Sequence, residues 1–172
     1  ELVIQKGVEL GVDQVIPFSA ERSVVKLTPA KAQRRSERWQ RIAMEAAKQS
    51  GRGRLTSVAV PMAFSDSVEK AVKESDWIIV PYEEEEITYL KEYLTRIELS
   101  LGDEAQTIKG EYPVISVFIG PEGGFSPREI VLLQDAGGQS VSIGPRILRT
   151  ETAGIAVLTM ILYHLGDLGE VK

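Results

Sequence analysis

Apolar residues along this 172-residue chain follow two different spacings. Runs of consecutive apolar residues, many of them β-branched, predict buried strands. These runs lie at 12–18, 57–62, 76–82, 114–120 and 139–144, with a further run at 23–27 that could pair nearby. Apolar residues spaced three or four apart predict helices over 1–10, 30–50, 65–74, 83–99, 126–136 and 151–165. Strands that alternate with helices and show little internal alternation of apolar and polar positions predict an α/β fold, a parallel sheet flanked by helices on both faces.

The composition of the chain excludes several classes of protein. The chain has no cysteine, which rules out disulfides, a thiol nucleophile and a cysteine zinc site. Its single histidine, His164, nearly excludes a histidine-based triad or a multi-histidine metal site. No apolar run is long enough to span a bilayer and no signal-peptide pattern is present, so we expect a cytoplasmic protein with neither a metal nor a membrane partner. We expect a single domain, with a loop by composition at 99–113. The first residue, Glu1, suggests a fragment or a processed chain.

The net charge of −5 is unevenly distributed. Residues 31–54 contain eight Lys or Arg against two Glu, so the rest of the chain is strongly acidic. Two interpretations remain open at this point: a basic patch that attracts a polyanion, or a solvated helix face.

Three loops follow predicted strands where an open parallel sheet binds its ligands, beyond the carboxyl ends of the strands. They contain "VPYEE" (80–84), "GPEGGFS" (120–126) and "GPRILRT" (144–150). The last two each begin at the glycine of an Ile-Gly-Pro sequence, and the two copies of this sequence are 24 residues apart. The glycines of the second loop allow backbone N–H groups to approach a ligand closely. Ser126 and Glu129 form a capping-box pattern that predicts a helix start after this loop. A phosphate-binding loop is disfavoured, because the motif lysine is missing and Glu122 is an anion.

Other polar residues near these loops have structural explanations. Thr150 is a candidate N-cap of the last helix, and Glu151 then lies in the first turn, where the helix dipole favours a carboxylate. The four glutamates at 83–86 are expected to be surface charge at the start of a solvated helix. Neither explanation accounts for two arginines, Arg146 and Arg149, beside a tight Gly-Pro turn.

"IGPEGGFSPREI" (119–130) and "IGPRILRTETA" (143–153) resemble the two signature loops of the bacterial 16S ribosomal RNA uridine-N3 methyltransferases. The resemblance continues through "QKGVELGV", "PFSAERSVVK", "RWQRIAMEAAKQSGR" and "VPYEEE", and so covers nearly the whole chain. It implies that residues 1–172 form a knotted methyltransferase domain of the SPOUT superfamily, with a deep C-terminal trefoil knot. It also implies a homodimer, S-adenosylmethionine as cofactor, and 16S ribosomal RNA or the small ribosomal subunit as partner. We expect the N-terminal RNA-binding domain that is usual in the family, and similar to a PUA domain, to be absent from this chain.

The resemblance also assigns residues to roles. The implied cofactor-binding residues are Pro81, Tyr82, Gly120, Pro121, Glu122, Gly123, Gly124, Ile143, Gly144, Leu148, Thr152 and Ala153. Since the N3 proton of uridine must leave, Glu122 or Glu151 is a possible proton acceptor, and Arg149 could stabilise the uracil anion or bind phosphate. The implied RNA-binding residues are Arg22, Arg38, Arg52 and Arg146. Three alternatives remain: transfer to a ribose 2′-hydroxyl, a non-catalytic RNA-binding module with a vestigial pocket, and, weakest, a phosphate-binding nucleotide enzyme.

Overall fold

Six helices and seven strands make up the part of the chain that the structure, a computed structural model, describes: residues 1–23, 27–101 and 113–168. The helices are α1 (Leu2–Glu9), α2 (Pro29–Gln49), α3 (Phe64–Glu74), α4 (Leu90–Leu101), α5 (Pro127–Asp135) and α6 (Thr150–His164). The strands are β1 (Gln14–Val15), β2 (Phe18–Ser19), β3 (Ser57–Val58), β4 (Met62–Ala63), β5 (Trp77–Pro81), β6 (Ile115–Val117) and β7 (Gly138–Val141). Within these ranges the elements confirm the predicted α/β class.

Every strand pair in the described ranges is parallel. The main sheet has the order β6-β5-β7, and two further pairs form β1-β3 and β2-β4. The central strand β5 alternates its side chains between two cores. Ile78 and Val80 face α3 and α5, whereas Ile79 faces α4 and α6. Helices therefore cover both faces of this sheet, as the continuous apolar runs predicted.

The predicted strands at 12–18 and 57–62 are each divided. Pro17 separates β1 from β2, and Pro61 separates β3 from β4. Proline has no N–H to donate to a ladder, which ends regular pairing at these positions. The carbonyl of Pro17 still accepts a hydrogen bond of 3.1 Å from Met62 N, so the two broken strands remain side by side.

The fourth helix begins later than the sequence predicts. The helix predicted from residue 83 begins only at Leu90, because the Glu85 carboxylate accepts hydrogen bonds from Ile87 N (2.9 Å) and Thr88 N (3.1 Å) and holds a turn instead. Most of the predicted strand at 23–27 and of the predicted loop at 99–113 lies outside the described residues, although residues 99–101 extend α4.

The predicted apolar stripe of α2 packs against α1. Ala43, Ala46 and Ala47 are buried with Ile4 and Val8 of α1. The opposite face carries exposed basic side chains; they are Lys31, Arg34, Arg35, Arg38, Arg41 and Lys48. The 31–54 segment is thus an amphipathic helix with one basic, solvent-exposed face, followed by a short connection to β3.

Candidate functional site

A cleft of about 700 Å³ opens at the carboxyl ends of β5, β6 and β7. It is lined by residues of the three loops that follow these strands, 81–89, 119–125 and 142–153. The structure therefore brings together the three loops that the sequence singles out, at the edge of the sheet where parallel strands bind ligands.

Most of the residues expected to contact a cofactor line this cleft. They are Pro81, Tyr82, Gly120, Pro121, Glu122, Gly124, Ile143, Gly144, Leu148 and Ala153. Gly123 and Thr152 do not. Gly123 lies against Arg22 instead: a Cβ built on it would be 3.2 Å from Arg22 Cβ. Thr152 is exposed in the first turn of α6.

The glycine loop, residues 120–126, requires glycine at Gly124. Gly124 N donates a 2.9 Å hydrogen bond to Pro121 O, closing a tight turn with a positive φ of +67°. A Cβ at this position would also collide with the carboxylate of Glu83 from the neighbouring loop. The backbone of Gly124 therefore forms a bare wall of the cleft, directly against a carboxylate.

The helix after the glycine loop begins as predicted. Ser126 N donates to Glu129 Oε2 at 2.8 Å, and Glu129 N donates to Ser126 Oγ at 3.4 Å. This reciprocal pair is a capping box, which fixes the exit of the loop relative to α5.

The predicted cap of the last helix is wrong. The N-cap of α6 is Arg149, and Thr150 is the first helical residue. The Thr150 hydroxyl donates a 3.1 Å hydrogen bond to the carbonyl of Gly120. Thr150 therefore joins the two Ile-Gly-Pro loops across the cleft and does not cap the backbone N–H groups of its own helix.

The candidate catalytic residues lie at different distances from this cleft. Glu122 lines it and is exposed. Arg149, the N-cap of α6, and Glu151, in its first turn, are not lining residues, although their neighbours Leu148 and Thr150 are. Arg146 lines the cleft, with an exposed side chain.

The glutamate loop, residues 82–89, was underestimated from the sequence. Glu83, Glu85 and Glu86 line the cleft and do not begin a solvated helix. With Glu122, they place four carboxylates against the single guanidinium of Arg146 among the lining residues. The cleft therefore favours a cationic ligand. Its position after β5 marked the start of this loop, 80–84, as a ligand site, but the glutamates themselves were expected to be surface charge.

Tyr82 shows the effect of this acidic loop. Its hydroxyl donates a 2.7 Å hydrogen bond to Glu84 Oε2. Burial, this hydrogen bond and the negative charges of Glu84 and Glu83 raise the pKa of Tyr82 to about 12, against a smaller opposing effect of Arg22. Tyr82 is therefore a neutral phenol at physiological pH and acts in the cleft as an apolar ring.

The expected RNA-binding arginines differ in their surroundings. Arg38 is an exposed α2 residue that pairs with Glu1 at 3.0 Å, and Arg22 donates to the carbonyl of Gly123 at 3.0 Å. Arg52 is instead a structural clamp. Its largely buried guanidinium donates to the carbonyls of Val8 (3.2 Å), Gly11 (2.9 Å) and Val12 (2.7 Å) and to Thr56 Oγ1 (2.9 Å). The expectation that Arg52 contacts RNA is corrected accordingly, because its donors are occupied within the chain.

No group of three or more His, Cys, Asp or Glu side chains in the described ranges is arranged to hold a metal ion. None of the helices in the same ranges has the length and apolar character needed to cross a membrane.

Comparison with known proteins gives a consistent family. A family model described as an RNA methyltransferase domain matches residues 1–162. The chain is 38% identical to the ribosomal RNA small subunit methyltransferase E of Bacillus subtilis, over 95% of the chain and 60% of that protein. For the protein of the same name from Aquifex aeolicus the identity is 33%, over 94% of the chain and 62% of the relative.

Solved structures agree. The crystal structure of the ribosomal RNA small subunit methyltransferase E of Neisseria gonorrhoeae bound to S-adenosylmethionine matches with a TM-score of 0.76 and 32% identity. The match covers 98% of the present chain and 62% of the other. The chain thus spans about three fifths of the length of these similar proteins.

Proposed function

Since the chain belongs to the RNA methyltransferase domain family, we propose that it binds S-adenosylmethionine in the three-loop cleft and methylates N3 of a uridine in 16S ribosomal RNA. The observation that carries the proposal is the cleft itself, which joins both Ile-Gly-Pro loops and the glutamate loop. The similar Neisseria gonorrhoeae protein, whose structure holds S-adenosylmethionine, supports the choice of cofactor.

The residues of the cleft fit this cofactor. Its volume of about 700 Å³ suits a small molecule of this size. Four glutamates match a molecule that carries a sulfonium and an ammonium group, and the bare backbone at Gly124 allows close approach. We assign the adenine side to Pro81 and Tyr82, and backbone contacts to Gly120, Gly124, Ile143 and Leu148.

When bound, S-adenosylmethionine supplies an electrophilic methyl group on sulfur. The protein must then deprotonate the uracil imide and stabilise the anion that results. Glu122, which lines the cleft, is the preferred proton acceptor, with Glu151 as the second candidate. Arg149 stabilises the uracil anion from the N-terminus of α6, where the helix dipole adds to its positive charge.

The exposed basic face of α2 supplies contacts to the RNA backbone, together with Arg22, Arg38 and Arg146. Phosphate contacts of this kind position a nucleic acid without reading its sequence. We also propose the SPOUT-type knot and a homodimer. Family membership supports the knot, and α6 supports the homodimer, because Tyr163 on this apolar helix is 71% exposed.

The test is methylation of small ribosomal subunits with isotopically labelled S-adenosylmethionine, followed by nucleoside analysis. We expect N3-methyluridine as the labelled product. A ribose-methylated nucleoside would overturn the N3 assignment in favour of the 2′-hydroxyl enzyme. Titration calorimetry with S-adenosylmethionine tests the cofactor site, and absence of binding would favour the non-catalytic RNA-binding module.

A further inference from the structure

Glu129 makes one contact more than its capping box requires. Only 7% exposed, it uses Oε2 to accept from Ser126 N at 2.8 Å. Its other oxygen, Oε1, accepts a 2.8 Å hydrogen bond from the backbone N–H of Glu21, which is 108 residues away in sequence. A single buried carboxylate therefore joins the start of α5 to a turn near the N-terminal end of the chain.

The turn that Glu129 holds, residues 20–23, lies against the glycine loop. It is closed by hydrogen bonds of 3.1 Å from Ser23 N to Ala20 O and from Ala20 N to Ser23 Oγ. From this turn the Arg22 guanidinium donates to the carbonyl of Gly123 at 3.0 Å. The distance of 3.2 Å between Arg22 Cβ and a Cβ built on Gly123 shows that the two backbones are in close contact.

The glycine loop is consequently held from two directions by one side chain. The Ser126 contact fixes the end of the loop, and the Glu21 contact fixes the turn whose Arg22 holds its middle. A carboxylate suits this role because both oxygens are acceptors, whereas the amide of glutamine would turn an N–H donor toward one of the two backbone donors. Its position in the first turn of α5 also stabilises the negative charge.

We propose that Glu129 is a positioning residue for the cofactor cleft: by pinning the 20–23 turn through Glu21 N, it lets Arg22 hold Gly123 and thereby sets the wall at Gly124. This inference rests on the proposed function, since it assigns S-adenosylmethionine to the cleft. Glu129 does not line the cleft and acts on the ligand only through Arg22 and the glycine loop.

The experiment compares Glu129→Gln with Ser126→Ala in titration calorimetry with S-adenosylmethionine. Ser126→Ala removes the other half of the capping box but leaves the Glu129 to Glu21 contact in place, so it controls for the loss of the cap. We expect both variants to melt at lower temperature, but only Glu129→Gln to weaken S-adenosylmethionine binding, by about tenfold. In the methylation assay KM for the cofactor should rise while kcat changes little.

Arg22→Ala provides a second measurement that does not depend on a buried substitution. It should weaken cofactor binding as Glu129→Gln does, and the double variant should be no weaker than the more affected single variant. Equal affinity in Glu129→Gln and the wild-type protein, equal losses in Glu129→Gln and Ser126→Ala, or additive effects of the Arg22 and Glu129 changes would each overturn the inference. Failure of the wild-type protein to bind S-adenosylmethionine would instead overturn the proposed function.

Discussion

The substitution Gly124→Ala should have two separable effects: backbone strain and a collision with Glu83. At a φ of +67° a non-glycine residue costs about 1–2 kcal/mol. The new methyl group would also collide with the Glu83 carboxylate, which lies at the end of a flexible, exposed side chain and can move away. For a chain of this length, a loss of 1–2 kcal/mol corresponds to a melting temperature lower by about 2–8 °C. The protein should therefore still fold, with a displaced carboxylate in its cleft.

Gly51→Ala is the matched control. Gly51 follows α2 with a φ of +69°, and a Cβ built there meets no heavy atom within 4 Å among the described residues. It should show the backbone strain alone, with a similar fall in melting temperature and no change in S-adenosylmethionine affinity. Gly124→Ala should weaken that affinity by about tenfold or more, roughly 1.4 kcal/mol. In a Glu83→Ala background the collision is absent, so Gly124→Ala should there cost only the backbone strain that Gly51→Ala shows.

Differential scanning calorimetry and titration calorimetry on the same samples measure both quantities. If Gly124→Ala shows the strain but binds S-adenosylmethionine as tightly as the wild-type protein, the glycine loop does not form the cofactor wall. A loss of affinity in Gly51→Ala as well would mean that binding follows global stability rather than the local geometry of the cleft.

Three further substitutions test the contacts around the cleft and the clamp. Arg52→Met should lower the free energy of unfolding in urea by about 2–4 kcal/mol, because it removes the hydrogen bonds to the carbonyls of Val8, Gly11 and Val12 and to Thr56 Oγ1. The exposed Arg54→Met should change it by less than about 0.5 kcal/mol, and equal effects would contradict the clamp. Thr150→Val should cost about 1 kcal/mol in the same assay, with Thr150→Ser as the hydroxyl-retaining control; no difference between them would contradict the hydrogen bond to Gly120. Tyr82→Phe should remove one phenol, with a pKa of about 12, from a titration followed by ultraviolet absorbance. An unchanged titration would contradict the raised pKa of Tyr82. Because folding raises the pKa of Tyr82, its stabilising effect should be complete below pH 10 and lost as the pH rises toward 12.

Local sequence signals predicted the fold well where one residue type decides the local geometry. The apolar run of β5 predicted burial on both faces, and Ser126 with Glu129 predicted the start of α5. The strand predictions failed at Pro17 and Pro61, where a missing N–H outweighed the apolar pattern. The helix predicted from residue 83 failed because one side chain, Glu85, bonds its own backbone in a turn.

The site residues that the sequence misassigned depend on contacts between distant segments. Arg52 belongs by composition to a basic stretch, but only the fold reveals the carbonyls of Val8, Gly11 and Val12 that surround it. Thr150 fits the pattern of an N-cap, yet the carbonyl of Gly120 lies within reach and takes its hydroxyl. Such long-range pairings have no periodic signature, so residue spacing alone does not predict them.

The distribution of charge follows from the two ligands of the proposed reaction. Four carboxylates in the cleft attract a sulfonium cation but repel a phosphate chain, so the RNA backbone must be held by other surfaces. The exposed basic face of α2 and Arg149, the N-cap of α6, provide positive charge outside the carboxylate-lined cleft, whereas Arg146 lines the cleft itself. A net charge of −5 is therefore compatible with the proposed RNA binding, because the acidic cleft and the basic face of α2 are separate surfaces.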